Sequence, residues 1–244
     1  MRAHLAGVIV IGVIASLAFA PVGAAQVERE VFERFPANTP EEVQRLRAAA
    51  EQGDVDAQND LGLLLRFGAA FYQRSGVEQD KNAAVAWFRR AAAQGLDRAQ
   101  YNLALCLLTG EGVEKSATEA FMWQSRAAAQ GRPQPQYSLG LMYLNGEGVP
   151  QNAALGLEWV RKAAAQQLPA ALGRLGDAYA AGEGVPTDSV EALKWFTLCV
   201  SRANGRQKSN CTVGRDAVSN TLSAQERIEA QNRAAAWLQS LPHR

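Results

Sequence analysis

The 244 residues include 25 Lys and Arg against 24 Asp and Glu, with 48% hydrophobic and 20% charged side chains. That apolar share supports a buried core and excludes a disordered polar chain. The even charge balance leaves no surplus of cations to neutralise phosphates, so neither nucleic acid nor an anionic membrane surface is an expected partner.

The chain opens with MRAH and then LAGVIVIGVIASLAFA, an apolar run too short to span a bilayer comfortably and shaped like a secretory signal peptide. Ala18 and Ala20 form an A-x-A site, but Pro21 follows directly, so cleavage is expected after Ala25 with Gly23 at the minus-three position. An uncleaved anchor is the alternative. No cysteine follows the run, which argues against a lipid anchor. The expected plan is a signal peptide over 1–25, a linker over 26–38, repeats over 39–205 and a helical cap over 206–244. The repeats comprise a half unit and four whole units at about 57–98, 99–134, 135–170 and 171–205. A periplasmic or secreted location follows, with no membrane insertion once the signal is removed.

The half unit begins at TPEE, with Thr39 as helix N-cap, Pro40 at the first helical position and Glu42 closing a capping box. Beyond it, Trp87, Trp123, Trp159 and Trp195 recur every 36 residues, as does GEGV from 110. Regular recurrence at such a period marks stacked supersecondary units. Asp80, Ser116, Asn152 and Asp188 share one register position, and all four residue types accept bonds from the free N–H groups of a first helical turn. Glu119 and Glu191 stand three residues on, as in a capping box.

Within the helix that follows, Ala84, Trp87, Phe88, Ala91 and Ala92 fall on one stripe, and Gly95 or Gly131 ends it. A second helix precedes each loop, with Leu103, Ala104 and Leu107 becoming Leu139, Gly140 and Tyr143, then Leu175, Gly176 and Tyr179. Gly110 and Gly112, like Gly146 and Gly148 or Gly182 and Gly184, are expected to close one helix and turn the chain. Two short helices cannot bury an apolar face alone, so the units must stack as an all-α solenoid. After Trp195 the pattern fails, and helices are expected near 210–222 and 224–240, the latter opening with the box SAQE.

A leucine-glycine helix, G-x-G-V, an N-cap, then W-F-R-R-A-A-A-Q-G resembles the Sel-1-like repeat, a relative of the tetratricopeptide repeat. The resemblance covers roughly 40–205 and implies a right-handed α-solenoid that serves as an assembly scaffold for protein partners. It departs at Gln167, where the unit-ending glycine is missing, and after Trp195, where AAAQG is lost. Irregular packing is expected at both junctions.

Chemistry is sparse. Of two histidines, His4 lies in the signal peptide and His243 beside the C-terminus, which argues against a His-dependent triad or a zinc site. No Gly-Lys pair offers a phosphate loop, and no S-x-x-K nucleophile is present. No cofactor or metal is expected. Glu111, Glu147 and Glu183 repeat in one loop, where stacking by a helix-pair thickness, roughly 20 Å, is too far for a shared acid and base. Cys106 reads as an apolar core residue. Cys199 and Cys211, 12 apart in an exported chain, are candidates for a disulfide between the last repeat and the cap, the alternative being two reduced thiols.

First helices of successive units are expected to line a concave groove, where Asp60, Asn102, Ser138 and Arg174 vary in chemistry on a constant frame. A solvated face is the competing reading. The first unit also carries an insertion, AAFYQR at 69–74, whose Phe71 and Tyr72 either anchor a partner or cover helix ends. The expected function is an exported, non-catalytic scaffold of envelope complexes. The alternative is binding or hydrolysis of cell-wall glycan or another small ligand, including a β-lactamase-like activity, which Asp60 and Asp177 would have to carry.

Overall fold

The computed structural model describes residues 39–68 and 76–241, all within one compact unit. The expected signal peptide and linker, with Phe71, Tyr72, His4 and His243, lie outside the described residues. The described chain is all helix and turn: α1 Pro40–Glu51, α2 Val55–Phe67, α3 Lys81–Ala93, α4 Asp97–Thr109, α5 Ala117–Ala129, α6 Pro133–Asn145, α7 Ala153–Ala165, α8 Pro169–Ala181, α9 Ser189–Arg202, α10 Gly205–Ser219 and α11 Ala224–Ser240. From α1 to α10 each helix packs on the next, so α2 to α9 form four stacked antiparallel pairs.

Local chemistry sets the starts. The side chains of Asp80, Ser116, Asn152 and Asp188 each accept the backbone N–H three residues on, at 2.9, 3.3, 3.0 and 2.9 Å. Thr39 and Ser223 form complete capping boxes with Glu42 and Glu226. The boxes expected at Ser116 and Asp188 are only half made. Glu119 instead accepts from Trp123 Nε1 at 3.3 Å, and Glu191 takes Lys194 at 2.6 Å, because these side chains find partners along the helix surface. The first helices α4, α6 and α8 have Leu96, Arg132 and Leu168 as N-caps, with no side-chain cap bond.

The two glycines of G-x-G do different work. Gly110, Gly146 and Gly182 are left-handed C-caps with φ of 76°, 69° and 74°. Gly112 and Gly148 also have positive φ, but their tighter constraint is the preceding unit: a β-carbon on either would lie 2.1 Å from the Lys81 or Ala117 carbonyl oxygen. The loop therefore seals one unit onto the first turn of the helix before it, beyond simply turning the chain.

The core stripe is narrower than the sequence suggests. Phe88, Ala84, Ala91 and Ala92 are buried, whereas Trp87, Trp123 and Trp159 are only half-buried, and Trp195 alone of the four is buried. A cation three residues on covers each half-buried ring, with Arg90, Arg126 and Lys162 at 4.5, 4.7 and 3.8 Å from the ring centres. Gln167 holds φ at 60°, so the third junction keeps the left-handed turn that the missing glycine would have made easy, in place of the expected irregularity.

Helix α10 starts at Gly205, five residues before the expected position, and so 36 residues after Pro169, the start of α8. It packs on α9 and α8, while α11 packs on α9. The last two helices thus continue the helix-pair step without its sequence pattern. Cys199 of α9 and Cys211 of α10 form a disulfide with Cα atoms 6.0 Å apart. Gly173 makes room for it, since a β-carbon there would meet Cys211 Sγ at 3.1 Å, where α4 and α6 place Tyr101 and Tyr137.

Candidate functional site

Asp60, Asn102, Ser138 and Arg174 do share one register position on α2, α4, α6 and α8, but they are not one solvated row. Asp60 and Asn102 are 3% and 2% exposed, while Ser138 and Arg174 are half-buried. Successive first helices lie side by side, so their facing polar groups bond to one another. Asn102 Nδ2 donates to Asn59 Oδ1 at 2.9 Å, and Asn59 Nδ2 donates to Asp60 Oδ1 at 3.1 Å. That bond ties one unit to the next through facing polar side chains. Asn102 Oδ1 is left buried without a hydrogen-bond partner.

Three residues further along each first helix, the same opening toward the C-terminal units recurs. Leu63 and Leu105 are buried, Leu141 is half-buried and Asp177 is exposed. The accessible part of this face therefore lies on α6 and α8, bounded by α10. It brings together Tyr137, Ser138, Leu141, Arg174 and Asp177, with Glu183 from the loop after α8.

Charge on this patch is unevenly matched. Arg174 pairs with Glu183 at 2.6 Å. Asp177 accepts no hydrogen bond and forms no ion pair among the described residues. Desolvation by the surrounding protein pushes its pKa up to about 6, against the pull of Arg174 and with the repulsion of Glu183, although the side chain is exposed. Tyr137 is pushed up to about 12 by the same desolvation, with Arg174 opposing and Asp177 adding to the shift.

The loop glutamates do not converge either. Glu111 is held by Arg66 at 2.8 Å and Lys81 at 3.5 Å, both from the preceding unit. Burial raises its pKa, but those two cations outweigh it and leave the carboxyl below its ordinary range. Cys106 is buried and unbonded, and burial raises its pKa. Among the described residues no three His, Cys, Asp or Glu side chains are grouped as a metal site would require.

Sequence reasoning missed a row of glutamines that ties the two helices within each unit. Gln94 donates to Gln58 at 2.8 Å, and Gln130 and Gln166 donate to Gln100 and Gln136, both at 2.9 Å. Gln130 and Gln166 also reach the Gly95 and Gly131 carbonyls of the preceding junction. The Q of AAAQG and its partners at 58, 100 and 136 were the available signal. In the fourth unit Leu172 and Arg202 occupy these positions, and the disulfide bridges the next junction. At the first junction the loop seal is missing, since a β-carbon on Gly76 would meet no atom within 4 Å. A recess of about 750 Å³ opens there between α1 and residues 76–82, lined by Val43, Arg47, Leu65 and Gln79 among others.

The Sel1 repeat family model matches residues 55–96, 97–131, 136–168 and 169–198, more than half of the chain. The chain belongs to the Sel1 repeat family. Its fold is similar to the crystal structure of a protective antigen present in uropathogenic Escherichia coli strains and displaying an SLR fold. That match has a TM-score of 0.75 and 29% identity over 88% of this chain and 45% of the other. It is also similar to a Sel1 repeat protein from Oxalobacter formigenes, with a TM-score of 0.64 and 28% identity over 82% of this chain and 59% of the other. The chain thus spans about half the length of these two Sel1 repeat relatives. A search of curated proteins found no match. Sel1 repeats generally mediate protein–protein interactions, which fits a face built from stacked helices. Among the described residues no helix is long and apolar enough to cross a membrane.

Proposed function

We propose that this chain is an exported, non-catalytic scaffold that holds a protein partner of an envelope complex on the inner face of its Sel1 repeats. The observation that carries the reading is the opening of that face. Register positions buried on α2 and α4 become accessible on α6 and α8, where they carry Ser138, Arg174, Leu141 and Asp177. A rigid stack with a mixed polar and apolar accessible strip suits an extended or helical segment of another protein. The disulfide supports an oxidising compartment, and the apolar N-terminal run supports export.

Crosslinking in intact cells followed by mass spectrometry tests the reading, comparing wild type with an Arg174→Ala, Ser138→Ala variant whose folding is checked by its melting temperature. One dominant envelope protein, lost in the variant, is the expected result. The same proteins captured by both chains would refute a groove-bound partner. Turnover of glycan or β-lactam substrates by purified protein, abolished by Asp177→Asn, would overturn the non-catalytic reading.

A further inference from the structure

Residues 191, 194, 195 and 198 of α9 stand at i, i+3, i+4 and i+7, so they share one outward arc of the helix. It lies opposite Phe196, whose ring meets Gly176 of α8. Helix α11 covers this arc. It packs on α9, sets Trp237 edge-on to Trp195 with ring centres 5.0 Å apart, and reaches Glu191 with Arg233 at 3.3 Å. Lys194, Trp195 and Leu198 are buried as a result. On α7 and α5 the 36-residue step puts Leu155 and Lys162, and Met122 and Arg126, in the same arc beside Trp159 and Trp123. There the arc is open. Leu155 and Met122 are 38% and 51% exposed, two of the four large apolar side chains exposed among the described residues. Between α3 and α5 the outer surface is bridged by Arg89 and Glu119 at 3.6 Å, whereas the equivalents one unit on are Ser125 and Leu155. The apolar opening therefore lies on α5 and α7. Its rim is cationic. Arg126 and Lys162 rest on Trp123 and Trp159 and form no ion pair among the described residues, against one exposed carboxylate on the α7 arc, Glu158.

We propose that the outward face of α5 and α7 is a docking site for an amphipathic helix of a partner protein, with an apolar seam set on Met122 and Leu155 and flanking carboxylates that meet Arg126 and Lys162. The contact of α11 with α9 is the internal example of such a seat. The seam of α11, formed by Ala230, Ala234, Trp237 and Leu238, follows the three-to-four-residue spacing of one helical face. Charge complementarity selects an acidic helix. A cation already held over an indole ring loses little freedom on meeting a carboxylate, and the same two cations repel a basic helix. This surface is separate from the inner face, and the inference holds whether or not that face binds a partner.

The test uses the full chain labelled with ¹⁵N and three stapled helical peptides on a Ser/Gln background. Two carry Ala, Ala, Trp and Leu at the spacing of the α11 seam, one flanked by Glu and one by Lys, and the third keeps the Glu flanks with Ser in place of the seam. The Glu-flanked seam peptide is expected to shift amides of residues 117–129 and 153–165 saturably and to bind about tenfold more tightly than its Lys-flanked counterpart, as two exposed ion pairs gained against two repulsions would give. Met122→Ser with Leu155→Ser should abolish that binding while the melting temperature stays near that of wild type, because both side chains are exposed. Arg126→Glu with Lys162→Glu should transfer the preference to the Lys-flanked peptide. Equal affinity for Glu and Lys flanks overturns the acidic occupant. Binding that survives Met122→Ser with Leu155→Ser, or that the Ser-seamed peptide matches, overturns the apolar seat. Shifts confined to α9 and α11 would mean exchange with α11 alone, and shifts confined to 137–141 and 174–178 would place the peptide on the inner face. Either result refutes the outward site, as does the absence of any saturable shift.

Discussion

Gln167 is where one side chain holds a conformation that the sequence pattern assigns to glycine. Its φ of 60° puts a β-carbon in the left-handed region, at a cost of about 1 kcal/mol relative to glycine. Gln167→Gly should therefore raise stability by about 1 kcal/mol, read from chemical denaturation at constant m-value; an unchanged or lowered midpoint would mean the glutamine side chain compensates elsewhere. Asp177 poses the opposite case of a group tuned against folding. Its pKa is about 6 in the folded chain against an ordinary 3.8, so the folded state binds the proton more tightly. The carboxylate then costs stability above pH 6, and that cost is relieved as pH falls from about 6 towards 3.8. Asp177→Asn should melt higher than wild type at pH 8, with the gap closing by pH 4. A gap that is constant across this range would show that the charge is not the cause.

Helix by helix, the capping residues and the pairing of α2 with α3 through α8 with α9 were legible in the sequence, because they depend on local bonds and a 36-residue step. What the spacing could not separate was the role of the two loop glycines. One closes its own helix, and the other lies against the helix of the previous unit, on a residue 31 positions earlier in the chain. Comparing Gly131→Ala with Gly148→Ala isolates the second role. At Gly131, with φ of 92° and nothing within 4 Å of the new carbon, only backbone strain of about 1–2 kcal/mol is expected. At Gly148 the new carbon would lie 2.1 Å from the Ala117 carbonyl oxygen, so the loss should exceed that of Gly131→Ala by about 1 kcal/mol or more, since the units must part. Equal losses in thermal or denaturant unfolding would argue that the loop floats free of the preceding unit.

Across the whole molecule, stability is nearest-neighbour in kind, with Gln130 and Gln166 bonding to the preceding unit and the Gly112 and Gly148 loops packed against it. The last junction replaces them with a covalent bond. Reducing Cys199–Cys211, or replacing both cysteines by alanine, should cost about 3 kcal/mol and speed hydrogen exchange in α10 and α11 while α4 to α6 stay protected. Uniform acceleration along the chain would mean that the array unfolds as one cooperative block. The same nearest-neighbour stacking explains the candidate site. Asp60 and Ser138 are equivalent in sequence, yet the first is 3% exposed and the second half-buried, and no local pattern distinguishes them.

The sequence by itself determined the helix starts, the repeat step and the stacked architecture, because capping bonds and apolar periodicity act over a few residues and are repeated four times. Tertiary structure decided which equivalent positions open to solvent, why α10 is helical from Gly205 despite a polar and glycine-initiated start, and how Arg174 meets Glu183 rather than Asp177. Those outcomes depend on which neighbour packs against each unit. A repeat sequence specifies the unit and its step, whereas burial and charge pairing arise between units, where identical register positions meet different surroundings.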